Sequence, residues 1–282
     1  MRAIAIQCAP GANKADNIAI VGRAIEEAVG PDRPALVSLP EMWSCLGADR
    51  QTKLSESEPL PGPGEDAQVG TAYRFLQETA RRLGVTLHGG SIGERVGDVL
   101  YNTSVVFGPD GGELARYRKI HLFDVTTPGG QGYRESSLFG SGTDVVTCRC
   151  PAEDGGLTLG LTICYDLRFP ELFLALRRAG ADVILVPAAF TAETGRDHWE
   201  VLLRARAIET QCWIVASATI GTHHDAAGRP RQTFGHSLIC DPWGAVRACA
   251  GDDEPGASAT IDRSLTARIR AGMPVLEHRR LA

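Results

Sequence analysis

The stretch Leu157-Thr-Leu-Gly-Leu-Thr-Ile163-Cys164-Tyr-Asp-Leu-Arg-Phe-Pro170-Glu-Leu172 carries most of the information in this chain. Leucine, threonine and isoleucine make Leu157–Ile163 a buried strand. Pro170 opens a helix that runs through Ala179, and Gly180 ends it. Strand and helix are thus joined by a sharp turn, and Cys164 sits on it. A thiol there points outward, where free backbone N–H groups can hold an oxyanion. A nearby helix start and a lysine would both favour thiolate. The alternative is a buried core cysteine, which suits the other seven.

The same strand–helix alternation continues in both directions. Ala3–Cys8 reads as a strand, and Asp16–Val29 as a helix with Ile18, Val21, Ile25 and Val29 on one face. A strand over Ala35–Leu39, a Pro/Gly-rich loop over Pro59–Glu65, a helix over Gln68–Leu83 closed by Gly84, and a strand over Val85–His88 follow. Thr103–Phe107 and Glu113–Tyr117 form a hairpin around Gly108–Gly112. Val183–Val186 is a buried strand. Asp197 caps a helix reaching Gln211, with Glu200 three residues on. Trp213–Ala218 is another strand, and Gly235–Cys240 and Ala245–Cys249 flank a second hairpin turn. This order predicts an α/β layer fold with mixed sheets and outer helices. No low-complexity linker divides it, so one domain over 1–282 is expected. Leu36–Pro40 and Ile184–Pro187 look alike, which hints at two related halves.

Composition narrows the function classes. The chain has 282 residues, is 43% hydrophobic and 22% charged, and carries a net charge of −5, which is ordinary for a globular protein. No apolar run is long enough to span a membrane. The N-terminus has no secretory apolar segment, so the cytoplasm is the expected location. No basic run tracks a phosphate backbone, which argues against nucleic acid. The eight cysteines are expected to be reduced. Cys148-Arg-Cys150 has the wrong spacing for a zinc knuckle, so no metal is expected.

Three places put a reactive side chain just beyond an apolar strand, where α/β folds gather their sites. Glu41, in Ser38-Leu-Pro-Glu41, is either a loop carboxylate in a salt bridge or a general base. Lys119, in Tyr117-Arg-Lys-Ile-His121, is either a solubilising charge or a cation aimed at a carbonyl oxygen. His121 reads as a structural hydrogen-bonder. Cys164 is the third. With His121, His198, His223, His224 and His236 present, spacing alone does not choose between a Cys–His dyad and a Glu–Lys–Cys set.

Taken in order, Leu39-Pro-Glu41, Tyr117-Arg-Lys-Ile-His121 and Ile163-Cys-Tyr-Asp-Leu-Arg-Phe-Pro-Glu171 resemble the carbon–nitrogen hydrolase (nitrilase) superfamily. The resemblance runs from the first strand to about Arg280. It implies a four-layer α-β-β-α sandwich of two mixed β-sheets. It implies Glu41 as base, Lys119 and the Tyr165 backbone N–H as oxyanion donors, and Cys164 as nucleophile. Glu135, in Tyr133-Arg-Glu-Ser-Ser137, matches the place of a second site glutamate, with Glu153 in the same interval. No cofactor is required, and a homodimer or larger homo-oligomer is implied.

Tyr after the cysteine looks like the amidase branch. The segments Thr194–Cys212, Gly235–Gly244 and His278–Arg280 are similar to the deaminated glutathione amidases, with the omega-amidases, which act on alpha-ketoglutaramate, as relatives. The implied substrate is a small anionic, peptide-like amide, cleaved through a thioester with release of ammonia or an amine. Arg168, Arg196 and His198 are the candidates for its carboxylate, although Arg168 is better read as bridging Asp166 or Glu171. Phe190 and Thr191 are candidate lining residues. Trp199 and Trp243 are expected in the core or an interface. An acyltransferase, an N-carbamoyl amide hydrolase and a binding protein with a vestigial site are the rival readings.

Overall fold

Strand β1 (Arg2–Ile6) sets the layering. Alternate side chains of a strand face opposite ways. Ala3 and Ala5 enter one hydrophobic core, and Ile4 and Ile6 enter another. The computed structural model describes residues 1–30, 36–62, 69–151, 155–224 and 228–280. Seven helices occur among them: α1 (Lys14–Val29), α2 (Arg50–Glu56), α3 (Thr71–Leu83), α4 (Pro170–Arg178), α5 (Ala192–Thr210), α6 (Arg263–Gly272) and α7 (Val275–His278).

The other strands of the first half are β2 (Leu36–Ser38), β3 (Thr86–His88), β4 (Ile92–Val96), β5 (Val99–Phe107), β6 (Glu113–Arg118), β7 (Asp124–Thr126), β8 (Gly132–Arg134) and β9 (Phe139–Gly140). Those of the second half are β10 (Thr147–Cys150), β11 (Leu157–Leu161), β12 (Val183–Ala188), β13 (Trp213–Ala218), β14 (Ile220–His224), β15 (Pro230–Phe234), β16 (Leu238–Cys240), β17 (Val246–Cys249) and β18 (Gly256–Thr260). One sheet has eight strands in the order β18-β1-β2-β3-β5-β4, with β6 and β9 also paired to β5. The other has six, in the order β10-β11-β12-β13-β16-β17. Both are mixed: β1, β2 and β3 run parallel, as do β11, β12 and β13, and antiparallel strands flank them. Hairpins β7–β8 and β14–β15 stand apart from the sheets.

The helices cover the outer faces. Val21 and Ile25 of α1 and Leu76 of α3 bury against Ile4, Val37 and Leu87 of the first sheet. Phe173 and Leu176 of α4 and Trp199 and Leu203 of α5 bury against the second sheet. The face of Ala3, Ala5, Leu36 and Tyr117 joins the core of Leu159, Leu185 and Val215, which closes one sheet on the other. The result is the expected α-β-β-α order. The Ser217 hydroxyl of β13 donates to the Ser38 carbonyl of β2 at 2.9 Å, tying the sheets together beside the residues that follow β2.

Several sequence boundaries move. Helix α5 begins at Ala192, with the Thr191 hydroxyl accepting from the Thr194 N–H, rather than at Asp197. Two residues could cap this helix, and the packing of Gly195 against Phe234 favours the earlier one: a Cβ at 195 would lie 2.3 Å from the Phe234 side chain. Helix α1 starts two residues before Asp16, at Lys14, because Asn13 caps it. The second apolar strand is longer than Val183–Val186, ending at Ala188. Ala35, Gln68, Glu153 and the end of the loop expected over Pro59–Glu65 lie outside the described residues.

Candidate active site

Glu41 stands on a tight turn after β2, fixed by the loop between β3 and β4. Gly90 has φ +59°, and a Cβ there would lie 2.0 Å from the Pro40 carbonyl oxygen, so only glycine permits this approach. The Ser91 N–H donates to that carbonyl at 3.2 Å. The Met42 N–H donates to Ser91 Oγ at 3.0 Å, and the Trp43 indole N–H to the Gly89 carbonyl at 2.8 Å. The buried Glu41 carboxylate is therefore held from both chain directions.

Lys119 follows the last residue of β6, and its N–H donates to the Asn102 carbonyl of β5 at 2.9 Å. Its ammonium is 2% exposed. Nζ donates to Glu41 Oε1 at 2.9 Å and to both oxygens of Glu135, at 3.1 and 2.9 Å. Glu135 opens a short 3-10 turn after β8, and its Oε2 also accepts from the Phe123 N–H at 2.7 Å. Asn102, which the sequence reading missed, bridges the two acids. Its Nδ2 donates to Glu41 Oε1 at 2.9 Å and to Glu135 Oε1 at 3.1 Å. An asparagine followed by Thr103 and Ser104 inside the Val99–Phe107 strand was the available signal, since buried polar side chains in a strand need partners.

Cys164 occupies the turn after β11 with φ +50°, a left-handed conformation that non-glycine residues seldom adopt. Asp166 holds that turn. It is fully buried and accepts four hydrogen bonds: from the Ile163 N–H at 2.8 Å, the Tyr117 hydroxyl at 2.7 Å, the His121 N–H at 3.1 Å and His121 Nδ1 at 2.7 Å. Tyr117 and His121 flank Lys119 in sequence, so one carboxylate fastens the cysteine turn to the lysine strand. His121 also stacks on Phe169, with ring centroids 3.7 Å apart. His121 is thus a hydrogen-bonding strut. His223 bonds to the Pro10 carbonyl and Thr233, and His236 to the Phe234 carbonyl.

The charges decide what each group does at rest. Burial pushes the Lys119 ammonium down, but Glu135, Glu41 and the Cys164 sulfur outweigh it and hold the group well above the usual lysine range. Lys119 Nζ donates to both acids. Burial, reinforced by the hydrogen-bonded Glu41 carboxylate, pushes the Cys164 thiol well above its usual value, and Lys119 only partly opposes this. The two features that favour thiolate are weak here: the helix ahead is a short 3-10 turn, and the lysine is shared between two acids. Glu41 and Cys164 line the same cavity. Glu41 Oε2 accepts from the Ala189 N–H at 2.9 Å, which aims the carboxylate toward the end of β12.

These groups line a cavity of about 540 Å³. Its wall includes Phe123, Tyr133, Tyr165, Phe190 and Thr191, and the basic side chains Lys53, Arg50, Arg134, Arg168, Arg229 and Arg231. Glu41, Glu135 and Asp49 are its carboxylates. The excess of positive charge suits an anionic ligand. Arg168 does not bridge Asp166, whose oxygens are taken by the β6 strand and the turn. It lies over the rings of Phe190 and Tyr165, 5.4 and 6.0 Å from their centroids, and 3.3 Å from His198 Nδ1. Arg196 and His198 are exposed and outside the cavity wall, and His198 reaches it only through Arg168. The earlier start of α5 puts both in its second turn, facing away. Trp199 is buried, whereas Trp243 is 59% exposed.

Residues 2–271 match the Carbon-nitrogen hydrolase family model. The chain is 41% identical over 281 residues to the deaminated glutathione amidase of Synechocystis sp., covering 98% of this chain and 97% of that one. It is 40% identical over 253 residues to the deaminated glutathione amidase of Homo sapiens, covering 87% and 72%. Among solved structures, the C. elegans NitFhit protein superposes with a TM-score of 0.84 at 34% identity, over 99% of this chain and 65% of that one. Saccharomyces cerevisiae Nit3, of the nitrilase superfamily, superposes with a TM-score of 0.84 at 28% identity, over 100% and 97%. A buried cysteine turn beside a glutamate–lysine–glutamate cluster, on a fold and a sequence shared from end to end, has one explanation: this chain belongs to the carbon–nitrogen hydrolase family.

Proposed function

We propose that the chain is an amidase that cleaves a small anionic, peptide-like amide through a Cys164 thioester, with deaminated glutathione as its favoured substrate. The observation that carries this reading is Lys119 Nζ clasped between Glu41 and Glu135, with Cys164 on the wall of the same cavity. Relatives about 40% identical that bear the name deaminated glutathione amidase support the substrate class.

An unactivated amide is a poor electrophile with a poor leaving group, so the cycle divides the work. Glu41 takes the thiol proton as sulfur attacks the carbonyl carbon. An ammonium has three donors. Glu41 takes one of those of Lys119, the two Glu135 oxygens share a second, and the third, with the Tyr165 backbone N–H, meets the developing oxyanion. Glu41 passes its proton to the departing nitrogen. The acyl group stays on sulfur until Glu41 activates a water that hydrolyses the thioester. Glu135 and Asn102 position Lys119 and Glu41. Arg168, held over two aromatic rings with no carboxylate partner among the described residues, receives the carboxylate on the acyl part of the substrate.

We read residues 1–282 as one domain working in the cytoplasm as a homo-oligomer. Among the described residues no helix is long and apolar enough to cross a membrane. Val201 and Ile208 on α5 are 66% and 52% exposed, and Ile208 lies beside Gly244 of the exposed Trp243 turn, which supports self-association.

The test is amine and ammonia release from deaminated glutathione, alpha-ketoglutaramate, N-carbamoyl amino acids and simple nitriles, with wild type and Cys164→Ala. The reading expects the first to lead and the variant to be inactive. If alpha-ketoglutaramate leads, the chain is an omega-amidase. If N-carbamoyl compounds or nitriles lead, the amidase branch is wrong. If nothing is cleaved, the binding-protein reading gains.

A further inference from the structure

The chain contains three lysines, Lys14, Lys53 and Lys119. Two are clasped between pairs of acids: Lys14 lies 3.2 Å from Glu56 and 2.9 Å from Glu58, and Lys119 lies 2.9 Å from both Glu41 and Glu135. Lys53 is different. It sits in the last turn of α2, is half-buried, and lines the catalytic cavity. Among the described residues its ammonium has no hydrogen bond and no ion pair. Asp49 caps α2 by accepting from the Thr52 N–H at 2.7 Å, and Glu135 is committed to Lys119 and Phe123. Burial pushes Lys53 below the ordinary lysine value, and Arg231 beside it adds to this, while Cys45, Glu135 and Asp49 only partly counteract.

A half-buried ammonium without a counter-ion is unfavourable in the empty enzyme. An anionic ligand would remove that penalty on binding, which makes such a group a selector of ligand charge. Arg168 and Lys53 reach the cavity from different parts of the chain. Arg168 is four residues past the nucleophile and rests on Tyr165 and Phe190. Lys53 stands on α2, beside Cys45 and Glu135. Two cations brought to one cavity wall from separate elements suit a substrate with two carboxylates.

We propose that Lys53 binds a second substrate carboxylate, carried on the leaving amine, and thereby selects amides whose released amine is itself an acid. This rests on the amidase reading above and names the substrate class of the same site. In deaminated glutathione that second carboxylate is the one at the C-terminal glycine.

The test compares deaminated glutathione with an analogue whose terminal carboxylate is capped as the N-methylamide, so that only that charge differs. A hydrogen bond to a charged group corresponds to about tenfold to a hundredfold in affinity, and wild type is expected to prefer the free acid by that factor in kcat/KM, mostly through KM. Lys53→Gln brings the preference ratio close to one, and Lys53→Arg keeps most of it. The ratio matters because a merely structural lysine lowers both substrates together. A Lys53→Gln enzyme that retains the wild-type ratio overturns the proposal. So does a wild type with no preference for the free acid. If wild type cleaves neither compound, the amidase reading fails and takes the inference with it.

Discussion

Replacing Asn102 with leucine separates catalysis from stability at this site. The Asn102 amide gives one proton to Glu41 at 2.9 Å and another to Glu135 at 3.1 Å. Hydrogen bonds to charged groups contribute about 1.5–3 kcal/mol each. Both carboxylates keep other partners: Lys119 and the Ala189 N–H for Glu41, Lys119 and the Phe123 N–H for Glu135. They stay bound but lose a fixed angle. The expected loss is one such bond's worth in the transition state, about tenfold to a hundredfold in kcat/KM. Folding stability responds less. Asn102 Oδ1 is buried without a partner, so leucine, close to it in size, removes an orphaned acceptor as well as two donors. The net change should be within about 1 kcal/mol. Steady-state amine release and urea unfolding on the same preparation measure both quantities. A variant with activity within twofold of wild type, or one whose activity falls only as far as its folded fraction falls, refutes the positioning role of Asn102.

Lys119→Met should cost about a hundredfold to a thousandfold in turnover, the usual loss for one oxyanion donor, with initial rates as the readout. Glu41→Gln should move the Cys164 thiol toward its ordinary value and Lys119→Met should move it further up, because the carboxylate raises it and the ammonium lowers it; the pH profile of iodoacetamide alkylation reports both shifts. Asp166→Asn presents an amide where the Ile163 N–H needs an acceptor, and about 2 kcal/mol of stability should be lost, seen as a lower urea midpoint. His88 is fully buried between the Ser38 and Ser104 hydroxyls, and burial pushes its imidazole down to about 3. The unfolded chain therefore binds this proton first, so the stability that neutral His88 provides is complete above pH 6.5 and is lost as pH falls from 6.5 toward 3. Between pH 6.5 and 5 the wild type should lose about 2 kcal/mol more than His88→Gln, at about 1.4 kcal/mol per pH unit. Chemical unfolding at the two pH values measures it.

How much of this was legible in the chain depended on where each residue's partners lie. The strands Val183–Ala188 and Trp213–Ala218 announce themselves because both faces are buried, leaving continuous apolar runs. Glu41, Lys119 and Cys164 were recognisable only as a spaced set, since each alone reads equally well as a salt-bridge acid, a surface base or a core thiol. The start of α5 was misread because Thr191 and Asp197 both suit a cap, and it is Thr191 whose hydroxyl accepts from the Thr194 N–H. Asp166 looked like a partner for Arg168 by proximity in sequence, yet its side-chain partners are Tyr117 on β6 and His121 just beyond it. The features around Cys164 that oppose thiolate, burial and the charge of Glu41, have no local mark because the fold imposes them. Lys53 carries no local mark at all, because a lysine in a short polar helix looks like any solvated one.

The central claim is that the acyl group passes through the Cys164 sulfur. Acid-quenched enzyme taken during steady-state turnover, digested and analysed by mass spectrometry, tests it directly. The account predicts an added mass equal to the substrate's acyl portion on the peptide bearing Cys164, absent from the Cys164→Ala protein. Undiminished turnover by Cys164→Ala, or acylation of a different cysteine such as Cys45, would contradict it.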